Sequence, residues 1–230
     1  MVRRVSHVTS RPLRARNAEE KKKRRIEILR AAEHLWRTTP YPDLSMSQVA
    51  REAQLAKGTL YLYFDTKEEL FLALLTEHLE HCLKDLLRGL EAARCTSADQ
   101  LTDLLVARVV PQEGLRRLLV LLTTVINPSL ADEQSQNFRR MLLRYVLPIL
   151  DVMPFERRTN LRVLMHMYAL ALGWQLASSG SGLETRAVFS FPSPDISLRP
   201  RFEDEFPRAL RASVRALVEE AYASVAITAD

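Results

Sequence analysis

An all-α fold is predicted by three features of the chain. Helix formers dominate the composition, apolar residues recur at three- and four-residue steps, and no alternating β-branched run is long enough to build a sheet. Of 230 residues, 47% are hydrophobic and six are glycine, and charged residues make up 27%. That is enough apolar material for a small head plus a larger body, and the charge content is that of a globular chain rather than a disordered one.

The elements follow in order. Ala18 to about Thr38 is helical, with Ile28, Leu29, Ala31, Ala32, Leu35 and Trp36 at helical spacing, until Pro40 and Pro42 break it. Ser45 and Gln48 form a capping-box pair that opens a short second helix to about Ala53. A tight turn, Gln54-Leu55-Ala56, leads into a third helix from Lys57 to about Phe64. Thr66 with Glu69 makes a second capping box and opens a long helix, Lys67 to about Ala93. The body continues with helices at about 97–109 (stopped by Pro111), 114–126 (stopped by Pro128), 131–150, 155–178 and 203–226. The connection at about 179–202 contains Gly180, Gly182, Pro192, Pro194 and Pro200, too many breakers for a helix.

The net charge of +5 is concentrated at one end. Residues 1–25 carry ten Lys or Arg against Glu19 and Glu20, and the remainder has 23 basic against 26 acidic residues. A polyanion would be met at the N-terminus. Residues 1–17 read equally as a solvated tail or as an arm that touches DNA. No run of eighteen apolar residues exists for a membrane span, and no apolar secretion segment follows the basic start. Cys82 and Cys95 have neither metal-ligand nor disulfide-framework spacing and read as reduced thiols. A cytoplasmic location is the expectation.

The most informative stretch is Ser45 to Leu70, SMSQVAREAQLAKGTLYLYFDTKEEL. Val49, Ala50, Ala53, Leu55, Leu60 and Phe64 are spaced to share a small core with Ile28, Ala32 and Trp36. That leaves Lys57, Gly58, Thr59, Tyr61, Leu62 and Tyr63 on the outside of the third helix. Lys and Tyr are suitable donors to phosphate oxygens, and short side chains admit close approach to base edges. Three short helices joined by tight turns form a helix-turn-helix layout. The chain is read as a basic flexible arm (1–17), a helix-turn-helix DNA-binding domain (18–66) and a helical ligand-binding and dimerisation domain (67–230).

The stretch resembles the TetR family of bacterial transcriptional repressors. The resemblance spans about residues 25–75 and rests on the IL-AA--LW run of the first helix, the VA of the second, KGTLYLYF of the third and TKEEL opening the fourth. It implies that the third helix enters the major groove, with Lys57, Gly58, Thr59 and Leu62 facing bases. Thr59, Tyr61 and Tyr63 would contact phosphates, Lys67 would clamp a phosphate, Ser47 would lie near a groove edge, and Ser45 and Met46 near the DNA backbone. Two positions depart from the family pattern. Gln54 stands where glycine is usual, at a left-handed turn, for a cost on the order of 1 kcal/mol. Ala56 stands where Ser or Thr would cap the third helix, a loss of roughly 0.5–2 kcal/mol.

A single recognition helix reads few base pairs, so a homodimer on an inverted-repeat operator is expected. The resemblance places its interface on the last two long helices. Ala169, Leu172, Gly173 and Leu176 form a small-residue stripe on one, and Phe206, Leu210, Val214 and Leu217 an apolar stripe on the other. Either stripe could instead face the chain's own core. The resemblance also implies a pocket among the middle helices. Leu105, Arg108, Leu119, Thr123, Asn127 and Phe138 are candidate lining residues, as are Met141, Leu142, Tyr145, His166 and Trp174. Such a lining suits a small, mostly apolar ligand, though the same residues could be dry core. A buried Arg108 would require an anion, either a ligand carboxylate or an internal acid. His166 has no neighbour at ligand spacing and reads as a structural histidine.

No catalytic constellation, phosphate-cradling glycine loop or metal-ligand spacing stands out, so neither catalysis, a metal nor a cofactor is expected. The leading expectation is a ligand-released homodimeric repressor. The alternatives are a non-specific DNA-packaging protein and a regulator without a small-molecule inducer.

Overall fold

The two helices expected to open at Ser45 and Thr66 start where those capping residues stand, and each described element is helical. The computed structural model describes residues 13–126, 132–179 and 200–228. Helix α1 runs Leu13–Thr38, and a 3-10 turn, Tyr41–Asp43, separates it from α2, Met46–Glu52. Then come α3, Lys57–Tyr61, and α4, Lys67–Ala93. The body continues with α5, Ala98–Val109, α6, Glu113–Leu121, and a π-helical turn, Leu122–Ile126. The remaining helices are α7, Asp132–Val152, α8, Arg157–Ser179, and α9, Phe202–Thr228. Most of the connection expected at 179–202, and Asn127, lie outside the described residues.

The chain divides into two compact units at Leu74/Leu75, within α4. This is later than a boundary at 66/67 because the first turns of α4 pack into the head. The Phe71 ring meets Trp36 edge-on at 5.4 Å and Tyr41 at 5.0 Å. Ile28, Ala32, Val49, Ala50, Leu60, Phe64, Leu70 and Phe71 are buried in the same head, a single small core. At the other end, α1 starts at Leu13, so residues 13–17, read from sequence as arm, form its first turn.

The body is organised on α9. Phe202, Phe206, Leu210, Val214 and Val218 recur every fourth residue and are buried with Leu101 and Leu105 of α5 and Val163 and Ala171 of α8. Phe202 and Phe206 stack at 4.8 Å. At one end of this core the Arg116 guanidinium is buried, 3.7 Å from the centre of the Phe202 ring. Its Nε donates to Gln175 Oε1 at 2.8 Å, and Nη1 donates to the carbonyls of Val109, at 3.0 Å, and of Val110. Those carbonyls end α5, the negative pole of that helix. Burial lowers the Arg116 pKa from its ordinary value.

Two turns show how side chains set the backbone. The regular part of α6 stops at Leu121 rather than 126, because the hydroxyls of Thr123 and Thr124 both donate to the Val120 carbonyl, at 2.8 and 3.0 Å. Hydroxyls that compete for a helix carbonyl loosen the ladder, here into a wider turn. Between α7 and α8, the buried Asn160 amide donates to the carbonyls of Leu150, Met153 and Phe155 and accepts from the Phe155 N–H, closing the connection.

Candidate nucleic-acid interface

The head presents α3 because α2 is capped at both ends. At its start the Gln48 N–H donates to Ser45 Oγ at 3.3 Å and the Ser45 N–H donates to Gln48 Oε1 at 2.7 Å, the reciprocal box the spacing predicts. At its end the Leu55 N–H reaches the Ala50 carbonyl at 2.8 Å and the Gln54 N–H the Arg51 carbonyl at 3.0 Å. That pair of bonds is a Schellman stop, and it places Gln54 at φ 55°, in the left-handed region. The strain anticipated for a non-glycine residue there is present. Ala56 occupies the N-cap of α3 with no side-chain cap bond, as its methyl group requires. At the start of α4 the Glu69 N–H donates to Thr66 Oγ1 at 3.0 Å, while Glu69 Oε2 accepts from Asp65 N–H, one residue upstream of the expected cap.

Helix α3 is an exposed turn and a half that ends at Tyr61, short of the Phe64 expected from the sequence, with Leu62 and Tyr63 in the turn that follows. Leu60 and Phe64 point into the core, at 0% and 2% exposure. Lys57, Gly58, Tyr61 and Leu62 are exposed, Leu62 at 75%, and Thr59 and Tyr63 are half-buried. A methyl group built on Gly58 would meet nothing within 4 Å, so this glycine is not required by packing. Lys57 Nζ stands 5.9 Å from the centre of the Tyr61 ring. Thus Lys57, Gly58, Tyr61 and Leu62 form one outward patch, with Thr59 and Tyr63 at its edge.

The remaining residues of the expected interface separate. Ser45 is exposed and engaged in its cap, and Ser47 is half-buried. Met46 packs inward at 8% exposure, as suits an apolar residue in the first turn of a helix lying on a core, and its side chain does not reach a surface ligand. Lys67 Nζ donates to the carbonyls of Tyr41 and Leu44, at 2.8 and 2.9 Å, and burial lowers its pKa. It therefore ties the turn between α1 and α2 to the start of α4. Beside it Tyr41 Oη donates to Glu68 Oε1 at 2.7 Å. Burial, then this bond, push the Tyr41 phenol far above its usual range, and the same bond holds the Glu68 carboxyl below its own. A further feature, not anticipated from the sequence, is a cleft of about 680 Å³ in which Lys21, Lys23 and Arg24 of α1 face Thr59, Leu62 and Tyr63. Its signal in the sequence is the KKKRR run at 21–25, which lies inside the helix expected from Ala18.

In the body, the candidate pocket residues do not share one surface. Leu105 is fully buried and Met141 nearly so. Arg108 Nε lies 2.7 Å from Asp85 Oδ2, so the acid such an arginine needs comes from α4. Tyr145 Oη donates to Glu80 at 2.6 Å. Thr123 and His166 are exposed, the latter with Nδ1 2.6 Å from Ser213 Oγ. Leu119, Phe138, Leu142 and Trp174 are half-buried. Of the expected dimer residues, Phe206, Leu210, Val214 and Leu217 are at most 3% exposed and face the chain's own core, where a partner cannot touch them. Ala169, Gly173 and Leu176 are exposed and Leu172 half-buried. Among the described residues no cluster could hold a metal ion, and no helix is long and apolar enough to cross a membrane. Both cysteines are free, and burial pushes the Cys82 thiol up to about 11, away from reactivity.

Comparison with known proteins agrees with this geometry. Residues 28–74 match the model of bacterial regulatory proteins of the tetR family. The uncharacterized HTH-type transcriptional regulator YfiR of Bacillus subtilis is 31% identical over 90 residues, 37% of this chain and 44% of its own. The match therefore spans less than half that relative's length. A protein of Mesorhizobium loti assigned to the TetR-family transcriptional regulators has the same fold, with TM-score 0.59 at 15% identity, covering 86% of this chain and 96% of its own. So does the TetR-family repressor FadR of Thermus thermophilus, solved with lauroyl-CoA, with TM-score 0.55 at 18% identity over 85% of this chain and 93% of its own. With its capped α2 and outward α3, the segment 28–74 is similar to the bacterial regulatory proteins of the tetR family.

Proposed function

We propose that the protein is a sequence-specific DNA-binding transcription regulator acting as a homodimeric repressor. The observation that carries this reading is the outward patch on α3. Lys57, Gly58, Tyr61 and Leu62 face outward, while Leu60 of the same helix and Phe64, just beyond the turn that follows it, are buried. A side chain set of this kind, with Thr59 and Tyr63 at its edge, suits base edges and flanking phosphates. Ser45, Ser47 and Lys57 would supply further backbone contacts, and Lys67 would act mainly by holding the turn before α2.

The dimer is proposed on α8. Leu161, Met165, Tyr168 and Leu176 are large apolar residues at 41–60% exposure on one face of it. Ala169 and Gly173 lie among them, and a methyl group on Gly173 would meet nothing within 4 Å. Small residues inside an apolar stripe let a second helix approach closely. Release by a small, mostly apolar ligand held in the body is the proposed regulation. The FadR structure holds lauroyl-CoA, which supports a body that takes up a ligand with an apolar acyl chain, although the coenzyme A part of that molecule is large and charged. An inducer can act only by binding the released state more tightly than the DNA-bound one.

Genomic fragments selected on the purified protein and footprinted test the reading. A protected inverted repeat with salt-sensitive affinity is expected, and the absence of any sequence-selective protection overturns it. Mass spectrometry of small molecules that co-purify tests the inducer.

A further inference from the structure

We propose that the cleft between the N-terminal half of α1 and α3 seats a DNA phosphodiester strand, making α1 a second DNA-contacting element. The proposal rests on the reading of the head as a DNA binder and extends its contact surface beyond α3. Helix α1 begins at Leu13, fifteen residues before the family segment opens at residue 28. At about 1.5 Å per residue this is roughly 22 Å of additional helix. It is not a detached tail, because it walls a cleft of about 680 Å³ whose other wall is α3 and the turn that follows it.

The walls differ in chemistry. Lys21, Lys23 and Arg24 line one side, and Thr59 and Tyr63 bring hydroxyl-bearing side chains to the other, with the exposed Leu62 beside them. Ammonium groups and hydroxyls are the usual donors to phosphate oxygens and sugars. The cleft also contains Glu20 and Glu27, and Arg24 Nη1 is held to Glu27 Oε2 at 2.8 Å. Those two carboxylates decide the kind of anion. A compact, multiply charged ion deep in the cleft would meet both of them. A phosphodiester strand carries its charge singly and spread out, one per about 3.4 Å of axis, and can run along the lysines. Because the opposite wall is Thr59 of α3 with Leu62 and Tyr63 of the turn that follows it, the strand so held is the one bordering the groove that α3 would read. Anchoring that strand fixes the depth and angle of α3 without reading any base.

The test compares two charge-matched variants on a random-sequence DNA duplex, by fluorescence anisotropy over a KCl series. Lys21→Gln with Lys23→Gln removes charge from the cleft. Lys22→Gln with Arg30→Gln removes the same charge from exposed positions that do not line it. The slope of log K against log salt is expected to fall by about 2 for the cleft pair, at about 0.9 per phosphate contact, and by much less for the other pair. Lys21→Arg with Lys23→Arg is expected to keep the wild-type slope, and circular dichroism to show every variant folded. An equal loss in both charge-removing pairs overturns the cleft and leaves only diffuse attraction. Wild-type binding with an unchanged slope in the cleft pair overturns it as well. A wild-type protein that binds no duplex at any salt concentration overturns the underlying DNA-binding reading instead.

Discussion

Lys67 Nζ donates to the carbonyl of Tyr41 at 2.8 Å and at the same time stands 3.9 Å from the centre of the Tyr41 ring. A third contact, to the Leu44 carbonyl, completes its environment. Replacing Lys67 with Met leaves two carbonyls of the turn before α2 without this donor. Each lost partner of a part-buried group costs about 1–3 kcal/mol, so the head should unfold at clearly lower denaturant concentration. Because Ser45 and α2 follow immediately, DNA affinity should fall with it. Urea unfolding followed by Trp36 fluorescence measures the first, and an unchanged midpoint would refute this role.

The pair beside it fixes a pH window. The Tyr41 phenol is raised and the Glu68 carboxyl lowered by one shared hydrogen bond, with burial the larger cause for Tyr41. A lowered carboxylate contributes stability above its unfolded value, about 4.3, and loses it as pH falls through the lower folded value. A raised phenol contributes below about 10 and loses its contribution as pH climbs toward the higher folded value. The head should be firmest between those limits. In Tyr41→Phe, NMR titration of Glu68 should show its pKa returning toward the ordinary range.

The stop between α2 and α3 contains two repairable positions. Gln54→Gly removes the left-handed penalty and should stabilise the head by about 1 kcal/mol. Ala56→Ser supplies a cap oxygen and should add about 0.5–2 kcal/mol. The two together should raise the thermal midpoint. A fall in either single variant would mean that the native side chain makes a compensating contact.

Gly58 separates folding from binding. Alanine there meets no neighbour and, in a helix, should be neutral or stabilising by up to about 1 kcal/mol. If α3 approaches DNA closely, the same methyl group should weaken binding at least tenfold while the melting curve holds. Unchanged affinity would move the interface away from this end of α3.

On α8, Met165→Glu places a charge in the exposed stripe without touching the core, since Met165 is 60% exposed. Sedimentation velocity should show monomer in place of dimer at micromolar concentration. A wild-type monomer, or a variant that still dimerises, would remove α8 as the interface.

Much of the head was legible because its signals are local. Ser45 with Gln48, and the left-handed Gln54, require only neighbouring residues to be read. The far side of each stripe was not legible. Phe206, Leu210, Val214 and Leu217 repeat as an interface stripe would, yet they are buried within the chain's own core, and the exposed stripe is the one through Met165 and Leu176. Helical period states that a face is apolar but not what covers it. Met46 misleads for a related reason. It sits next to a capping serine on the surface, and only the direction of its side chain shows that it belongs to the core. Likewise the end of α6 moved because two threonine hydroxyls, not a breaker, loosen its ladder, and α1 begins at Leu13, inside the stretch read as an arm.

The buried Arg116 gives the body a fastening of a different kind from that of the head. Its hydrogen-bond contacts are an amide and two main-chain oxygens, together with an aromatic face. None of these partners takes up a proton in the acid range, whereas the Tyr41–Glu68 tie loses its acceptor charge there. Permanent dipoles thus supply the hydrogen bonds at the meeting point of α5, α6, α8 and α9, and acid that loosens the Tyr41–Glu68 tie leaves these acceptors unchanged, reaching Arg116 only through space by way of Glu113 and Glu203.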